Sequence, residues 1–175
     1  MKSNKFLRIV LILLILALNI GCDQVSKSIV RHKMDDFTYL RYLGNHITLS
    51  KVENTGAFLS LGDRLPRPVK IVLLNLLPLL VVVIGLVFIL TKHNLDRVIA
   101  FGLILVIGGG IGNLYDRMVH GSVTDFMHIN FVIFQTGIFN VADLSISTGV
   151  CIMLVQAYLT RSKPATEVSD LSQEG

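Results

Sequence analysis

Four long apolar runs divide this chain, and the polar residues gather between them. They cover residues 9–20, 69–91, 98–114 and 141–159, the first preceded by Lys2, Lys5 and Arg8. The later three each approach the roughly 20 residues that cross a ~30 Å hydrocarbon layer. Asn75 and Pro78 interrupt the second and Arg97 stands beside the third, defects that a packed bundle accommodates. Four spans put both chain ends on one side with the short loop 92–97, and segments 23–68 and 115–140 on the other. The basic first segment argues for cytoplasmic termini. The support is partial, because the first outer segment also carries Lys27, Arg31, Lys33, Arg41, Lys51, Arg64 and Arg67.

In the outer segments the pattern turns from helical to extended. Residues 37–43 (FTYLRYL) and 46–52 (HITLSKV) are rich in aromatic and β-branched side chains, and Gly44-Asn45 between them signals a two-residue hairpin. In residues 127–133, Met127, Ile129, Phe131 and Ile133 alternate onto one face and predict a further strand. The expected fold is therefore an α-helical membrane protein with four transmembrane helices and a small extracytoplasmic β-sheet region. It forms a single domain over residues 1–161, with the outer β-rich loop at about 35–66. Residues 162–175 form a polar tail with the composition of a disordered segment.

Composition supports the membrane assignment. The chain is 52% hydrophobic and 16% charged, with a mean hydropathy of +0.66, whereas soluble domains are typically about 25% charged. A net charge of +4 would suit nucleic acid or an anionic membrane surface. The basic residues form no dense stripe, so no nucleic-acid partner is expected. The five histidines and two cysteines show neither HExxH nor CxxC spacing, and neither a metal nor a cofactor is expected. Cys151 falls about three turns into the last span, more than ~10 Å in depth from Cys22, too far for a disulfide. Gly21-Cys22 imitates a lipoprotein cleavage box, but Asn19 stands where an apolar residue is required, so Cys22 is expected to remain unmodified. The run Gly108-Gly109-Gly110 with Gly112 lacks the Lys-Ser/Thr ending of a phosphate loop and predicts close helix packing.

The chemistry collects at one membrane face. Asp23 ends the first run, Asn54 lies in the outer segment, Asn113, Asp116 and Arg117 leave the third span, and Asn140 and Asp143 enter the fourth. Asp125 and Asp143 flank one loop that returns both carboxylates to the same side. Two carboxylates held close share a proton, and such a pair can activate a water while polarising a carbonyl. The alternative is structural: either aspartate could cap a helix or pair with Arg117. Spacing alone leaves both readings open.

Four blocks then carry a resemblance. Asp23-Gln24-Val25-Ser26-Lys27 resembles a DQxxK segment, and Asn54-Thr55-Gly56-Ala57 with Ser60 resembles an N-x-G-A block. Gly108-Gly109, Gly112-Asn113-Leu114, Asp116-Arg117, Gly121, Val123 and Asp125-Phe126 resemble GG-x-x-GN-x-x-DR…G-x-V-x-DF. Phe139-Asn140-Val141-Ala142-Asp143 resembles FN-x-AD. Together they resemble the lipoprotein signal peptidase (signal peptidase II) family of bacterial inner membranes, over about residues 6–160. Phe58-Leu59 departs from the family's usual Ala-Phe. The resemblance implies an aspartic endopeptidase with Asp125 and Asp143 as its dyad, and Asp23, Asn54, Gly56, Asn113, Arg117, Asn140 and Ala142 supporting the site or binding substrate. The implied substrate is a diacylglyceryl-modified prolipoprotein, cut before its lipidated cysteine. The implied setting is the inner membrane, with membrane lipid as a partner, cytoplasmic termini, a periplasmic active site and a monomeric enzyme.

Other classes fit the pattern less well. A small transporter would carry its polar residues at mid-span, and here they collect at one face. A presenilin-like protease needs a GxGD segment, and a serine-lysine peptidase needs a serine poised against a lysine, whereas Ser26 and Lys27 point apart. A non-enzymatic assembly factor has no use for the paired aspartates.

Overall fold

The computed structural model describes residues 5–56, 62, 65–92, 94–131 and 133–161. Lys2, Ala57, Phe58, Leu59, Ser60, Arg64, His93 and the tail 162–175 lie outside the described residues. Four helical runs are long and apolar enough to cross a membrane: Lys5–Lys33, Arg67–Thr91, Arg97–Val119 and Val141–Arg161.

The first, α1 (Lys5–Lys33), runs well past the end of its apolar stretch. Asp23 therefore lies inside a helix, not at the start of an outer loop as the hydropathy pattern indicates. The physical reason is the buried face. Asp23, Lys27, Val30 and Met34 recur at helical spacing, with the charged pair satisfied internally and Val30 and Met34 packed on Phe126. Arg31, His32 and Lys33 in the last turn suit the helix C-terminus.

The second run is composite. A short α2 (Arg67–Lys70) opens into a π-helical stretch, Ile71–Leu76, and continues as α3 (Leu77–Thr91). Pro78 has no N–H to offer the Leu74 carbonyl, and the backbone ahead of it widens. The third run, α4 (Arg97–Val119), starts at an Asp96 cap and is the hub of the bundle, touching α1, α3 and α5 (Val141–Arg161). Its glycines let backbones approach. A Cβ at Gly102 would press on the Gly149 carbonyl, and one at Gly109 on the Ala142 carbonyl, a seven-residue repeat on both antiparallel helices. Gly108 makes room for Asn19 and Gly112 for Asp23, so α1 lies parallel to α4 one turn at a time. Asn19 donates to the Leu105 carbonyl and accepts from Ser145, tying three helices together.

The sheet draws on both outer segments. Strands β1 (Tyr39–Tyr42), β2 (Ile47–Asn54), β3 (Val123–Phe131) and β4 (Phe134–Gln135) pair antiparallel in that order. Tyr42 pairs with Ile47, so the first turn has four residues instead of two, with positive φ at Leu43, Gly44 and Asn45. The third strand starts at Val123, four residues before the alternating stretch, and Ile133 lies beyond its end. Val123 to Phe126 are all buried, because Thr124 and Phe126 turn toward α1 while Asp125 turns toward Asn54 and Asn140. Simple alternation fails where both faces of a strand are covered.

Candidate active site

The polar end of the bundle is built from four elements and one crossing segment. Val52 pairs with Asp125 across β2 and β3, so Asn54 sits diagonally opposite, within reach on the same face. Asn54 Nδ2 donates to Asp125 Oδ2 at 2.9 Å, and its Oδ1 accepts from the Gly56 N–H at 2.9 Å. On the other edge of β3, Phe139 bridges to Met127 and accepts from the N–H groups of Phe126 and Met127. That pairing delivers Asn140 directly to Asp125, where Asn140 Nδ2 donates to Oδ1 at 2.6 Å.

Asn140 also begins α5. Its Oδ1 accepts from the Asp143 N–H at 3.0 Å, and Asp143 Oδ2 accepts from the Asn140 N–H at 3.2 Å. This is a reciprocal capping box, and it satisfies two helix-start donors. Asp143 Oδ1 accepts from Asn113 Nδ2 at 2.8 Å, and Asn140 Nδ2 also reaches Asn113 Oδ1 at 3.2 Å. Asn140 is thus joined to both aspartates. Asp125 is buried, and Asp143 is half-buried. Burial, with the neighbouring charge of Asp143, pushes the Asp125 carboxyl up to about 6 against the amides of Asn54 and Asn140, which stabilise its charged form.

Arg117, one turn beyond Asn113, donates through Nη2 to the Gly56 carbonyl at 3.0 Å and through Nη1 to the Asn113 carbonyl at 3.4 Å. Among the described residues it makes no ion pair with either aspartate. The structural alternative for Asp143, a helix cap, describes part of what it does. For Asp125, which lies in a strand and not in the loop, it describes none.

Behind these residues lies a second polar cluster. Lys27 is fully buried between Asp23 at 2.8 Å and Asp116 at 2.9 Å, and donates to Asn113 Oδ1 at 2.9 Å. Arg31 pairs with Asp116 at 2.8 Å and donates through Nε to Thr124 Oγ1, which in turn donates to Glu53. Arg31 Nη2 and Asp116 Oδ2 make their contacts as ion pairs without aligned hydrogen bonds. Gln24 bridges Asp23, Asp116 and the Gly112 carbonyl. Asp23 Oδ1 accepts from the Ala142 N–H at 2.9 Å, next to Asp143. Two cavities flank the arrangement. One of about 190 Å³ lies beside Asp143, walled by Phe139, Leu144 and Ser147, and one of about 520 Å³ lies beside Arg117. Among the described residues no three His, Cys, Asp or Glu side chains are grouped to hold a metal.

A sequence model of the family described as signal peptidase (SPase) II matches residues 14–159. The chain belongs to the signal peptidase II family. The lipoprotein signal peptidase of Streptococcus pneumoniae is 36% identical over 157 residues, covering 89% of this chain and 94% of that protein. That of Aquifex aeolicus is 35% identical over 114 residues, covering 65% of this chain and 66% of that protein. A solved bacterial membrane enzyme obtained by the in meso method superposes with a TM-score of 0.80 at 24% identity, covering 91% of this chain and 95% of that one, a likeness of fold. As a signal peptidase II, this chain is a multi-pass membrane peptidase of the bacterial inner membrane.

Asp125, Asp143, Asn54, Asn113 and Asn140 share one hydrogen-bonded network. Gly56 and Arg117 border it, and Asp23 and Ala142 join it from behind. The paired roles of Gln24, Lys27 and Arg31 go unread in the sequence, which gives Arg31 to an outer loop. The available signal was the four-residue spacing of Asp23, Lys27 and Arg31, which stacks them on one helix face.

Proposed function

We propose that this peptidase is an aspartic endopeptidase in which Asp125 and Asp143 form the dyad. It removes the signal peptide from diacylglyceryl-modified prolipoproteins by cutting before the lipidated cysteine. The observation that carries the reading is the company of the two carboxylates. Asp125 is held by the side-chain amides of Asn54 and Asn140, and Asp143 by the side-chain amide of Asn113 and the backbone N–H of Asn140, and among the described residues neither has a cation within ion-pair distance.

A carboxylate that is not neutralised by a cation keeps its basicity, and a neighbouring carboxyl with raised proton affinity keeps its proton. In the reaction one member of the pair takes a proton from water as that water attacks the scissile carbonyl. The other donates a hydrogen bond to the carbonyl oxygen. Collapse of the tetrahedral intermediate then breaks the C–N bond, and the leaving amine takes a proton from the dyad. No side-chain nucleophile is required.

The half-buried Asp143, which lines the apolar cavity at Phe139, Leu144 and Ser147, suits a substrate that arrives along the membrane. Arg117, which already donates to the Gly56 carbonyl, is placed to orient a peptide backbone. The termini are then cytoplasmic, the sheet and dyad periplasmic, and the enzyme monomeric. The test is a pair of matched synthetic precursors, one carrying diacylglyceryl on its cysteine and one unmodified. The expected product has that cysteine as its N-terminal residue by mass, with the unmodified precursor cut at least tenfold more slowly. Equal cleavage of both, or a cut elsewhere, would refute the substrate assignment.

A further inference from the structure

The 520 Å³ cavity borders the dyad cluster through Arg117 but is lined by neither aspartate, and it is strongly basic. Its walls carry Arg67 and Lys70 from α2, where the second span begins, and Arg117 from α4. Among the described residues no carboxylate lines it, and none of these three cations makes an ion pair. Among the described residues Lys70 donates to the Thr55 hydroxyl, at 3.2 Å, and to no carboxylate. The Nε of Arg117 is buried without a hydrogen-bond partner, a deficit that native proteins seldom leave without a ligand or water. The lower wall is different in kind. Ile71 and Leu74 come from the π-helical stretch and continue into the apolar face of the span.

Three like charges around one cavity repel each other and favour an anion between them. Guanidinium groups match phosphate oxygens in geometry, and lysine adds a point charge. A basic mouth above an apolar wall at the end of a membrane span further selects an anion that carries acyl chains. We propose that this cavity binds the phosphate of an anionic phospholipid, with the headgroup between Arg67, Lys70 and Arg117 and the chains along Ile71 and Leu74. The site shares Arg117 with the proposed peptide-orienting role, so its test turns on Arg67 and Lys70 and reads lipid binding, which a failure of the dyad reading would leave unchanged.

The shared chemistry is a phosphate anion, and its source can be a lipid or free phosphate. Full-length protein in a neutral detergent is titrated with phosphatidylglycerol, phosphatidylcholine or inorganic phosphate, and bound ligand is read by native mass spectrometry. Phosphatidylglycerol is expected to bind at least tenfold more tightly than phosphatidylcholine. The Arg67→Gln/Lys70→Gln double variant should erase that preference, and each single variant should weaken it about threefold. Its melting temperature should stay near wild type, since among the described residues neither side chain pairs with a carboxylate. Three results would overturn the proposal: a double variant that holds phosphatidylglycerol as tightly as wild type, equal binding of the two lipids, or displacement of the lipid by millimolar inorganic phosphate.

Discussion

Two groups of carboxylates lie side by side at the polar end of this bundle and are treated in opposite ways. Asp23 and Asp116 are fully buried against Lys27, with Arg31 completing the set. Asp125 and Asp143 stand one layer away, and their partners are amides. Asn113 sits between the groups, accepting from Lys27 and donating to Asp143. A cation neutralises a carboxylate and fixes it. An amide fixes its position and lowers its proton affinity without neutralising it, so the carboxylate can still exchange a proton. The first group therefore serves as the foundation, and the second stays chemically available.

The largest effect is expected from breaking the foundation. Lys27→Met leaves Asp23 and Asp116 buried with less compensation, and removing one partner of a buried pair typically costs about 3–5 kcal/mol. The melting temperature of the detergent-purified variant should fall steeply. The Asp23→Asn/Lys27→Met double variant should recover part of the loss. A stable Lys27→Met protein would mean that the cluster does not hold the helices together.

Next comes acidity. The Asp125 carboxyl titrates at about 6 in the folded protein, against an ordinary value of 3.8. Between those values the native state holds a proton that the unfolded chain has released, so this group's contribution to stability is full below the lower value. It is lost as pH rises through the upper one. Two pKa units correspond to about 3 kcal/mol at most. The melting temperature of wild type minus that of Asp125→Asn should fall as pH rises from 4 to 7, because only wild type loses stability across that window. A flat difference would show that Asp125 is not perturbed.

A smaller effect sharpens the contrast. Asn140→Ala removes the cap of α5, worth about 1 kcal/mol, and takes one donor from Asp125. The donor loss should raise the Asp125 pKa further and, because Asp125 is the member of the pair that keeps its proton, move the alkaline limb of the cleavage profile to higher pH. A stability loss with an unmoved alkaline limb would make Asn140 a cap and nothing more.

The sequence made the spans and the sheet legible through hydropathy and alternation, and it brought Asn113, Asn140 and Asp143 to one face through topology alone. It could not show that α1 continues to Lys33. Asp23 and Lys27 look like the start of a polar loop unless their partner Asp116, distant in the chain, is known. Nor could it show Asp125 in a strand. Its placement depends on the register with Val52 and on Phe139 crossing the other edge of β3. Local pattern reports which face a residue prefers, while pairing between distant segments decides what it meets.

The most direct measurement compares cleavage and melting temperature in the same preparations of Asp125→Asn and Asp143→Asn. An asparagine keeps the shape and most of the hydrogen bonds but cannot take a proton from water. Each variant should lose cleavage of a diacylated precursor by about 10²–10⁴-fold or more, while its melting temperature falls no more than a few degrees below wild type, the equivalent of about 1 kcal/mol. Turnover near the wild-type rate in either variant, or activity that falls only in step with the folded fraction, would contradict the assignment of these two carboxylates as the dyad.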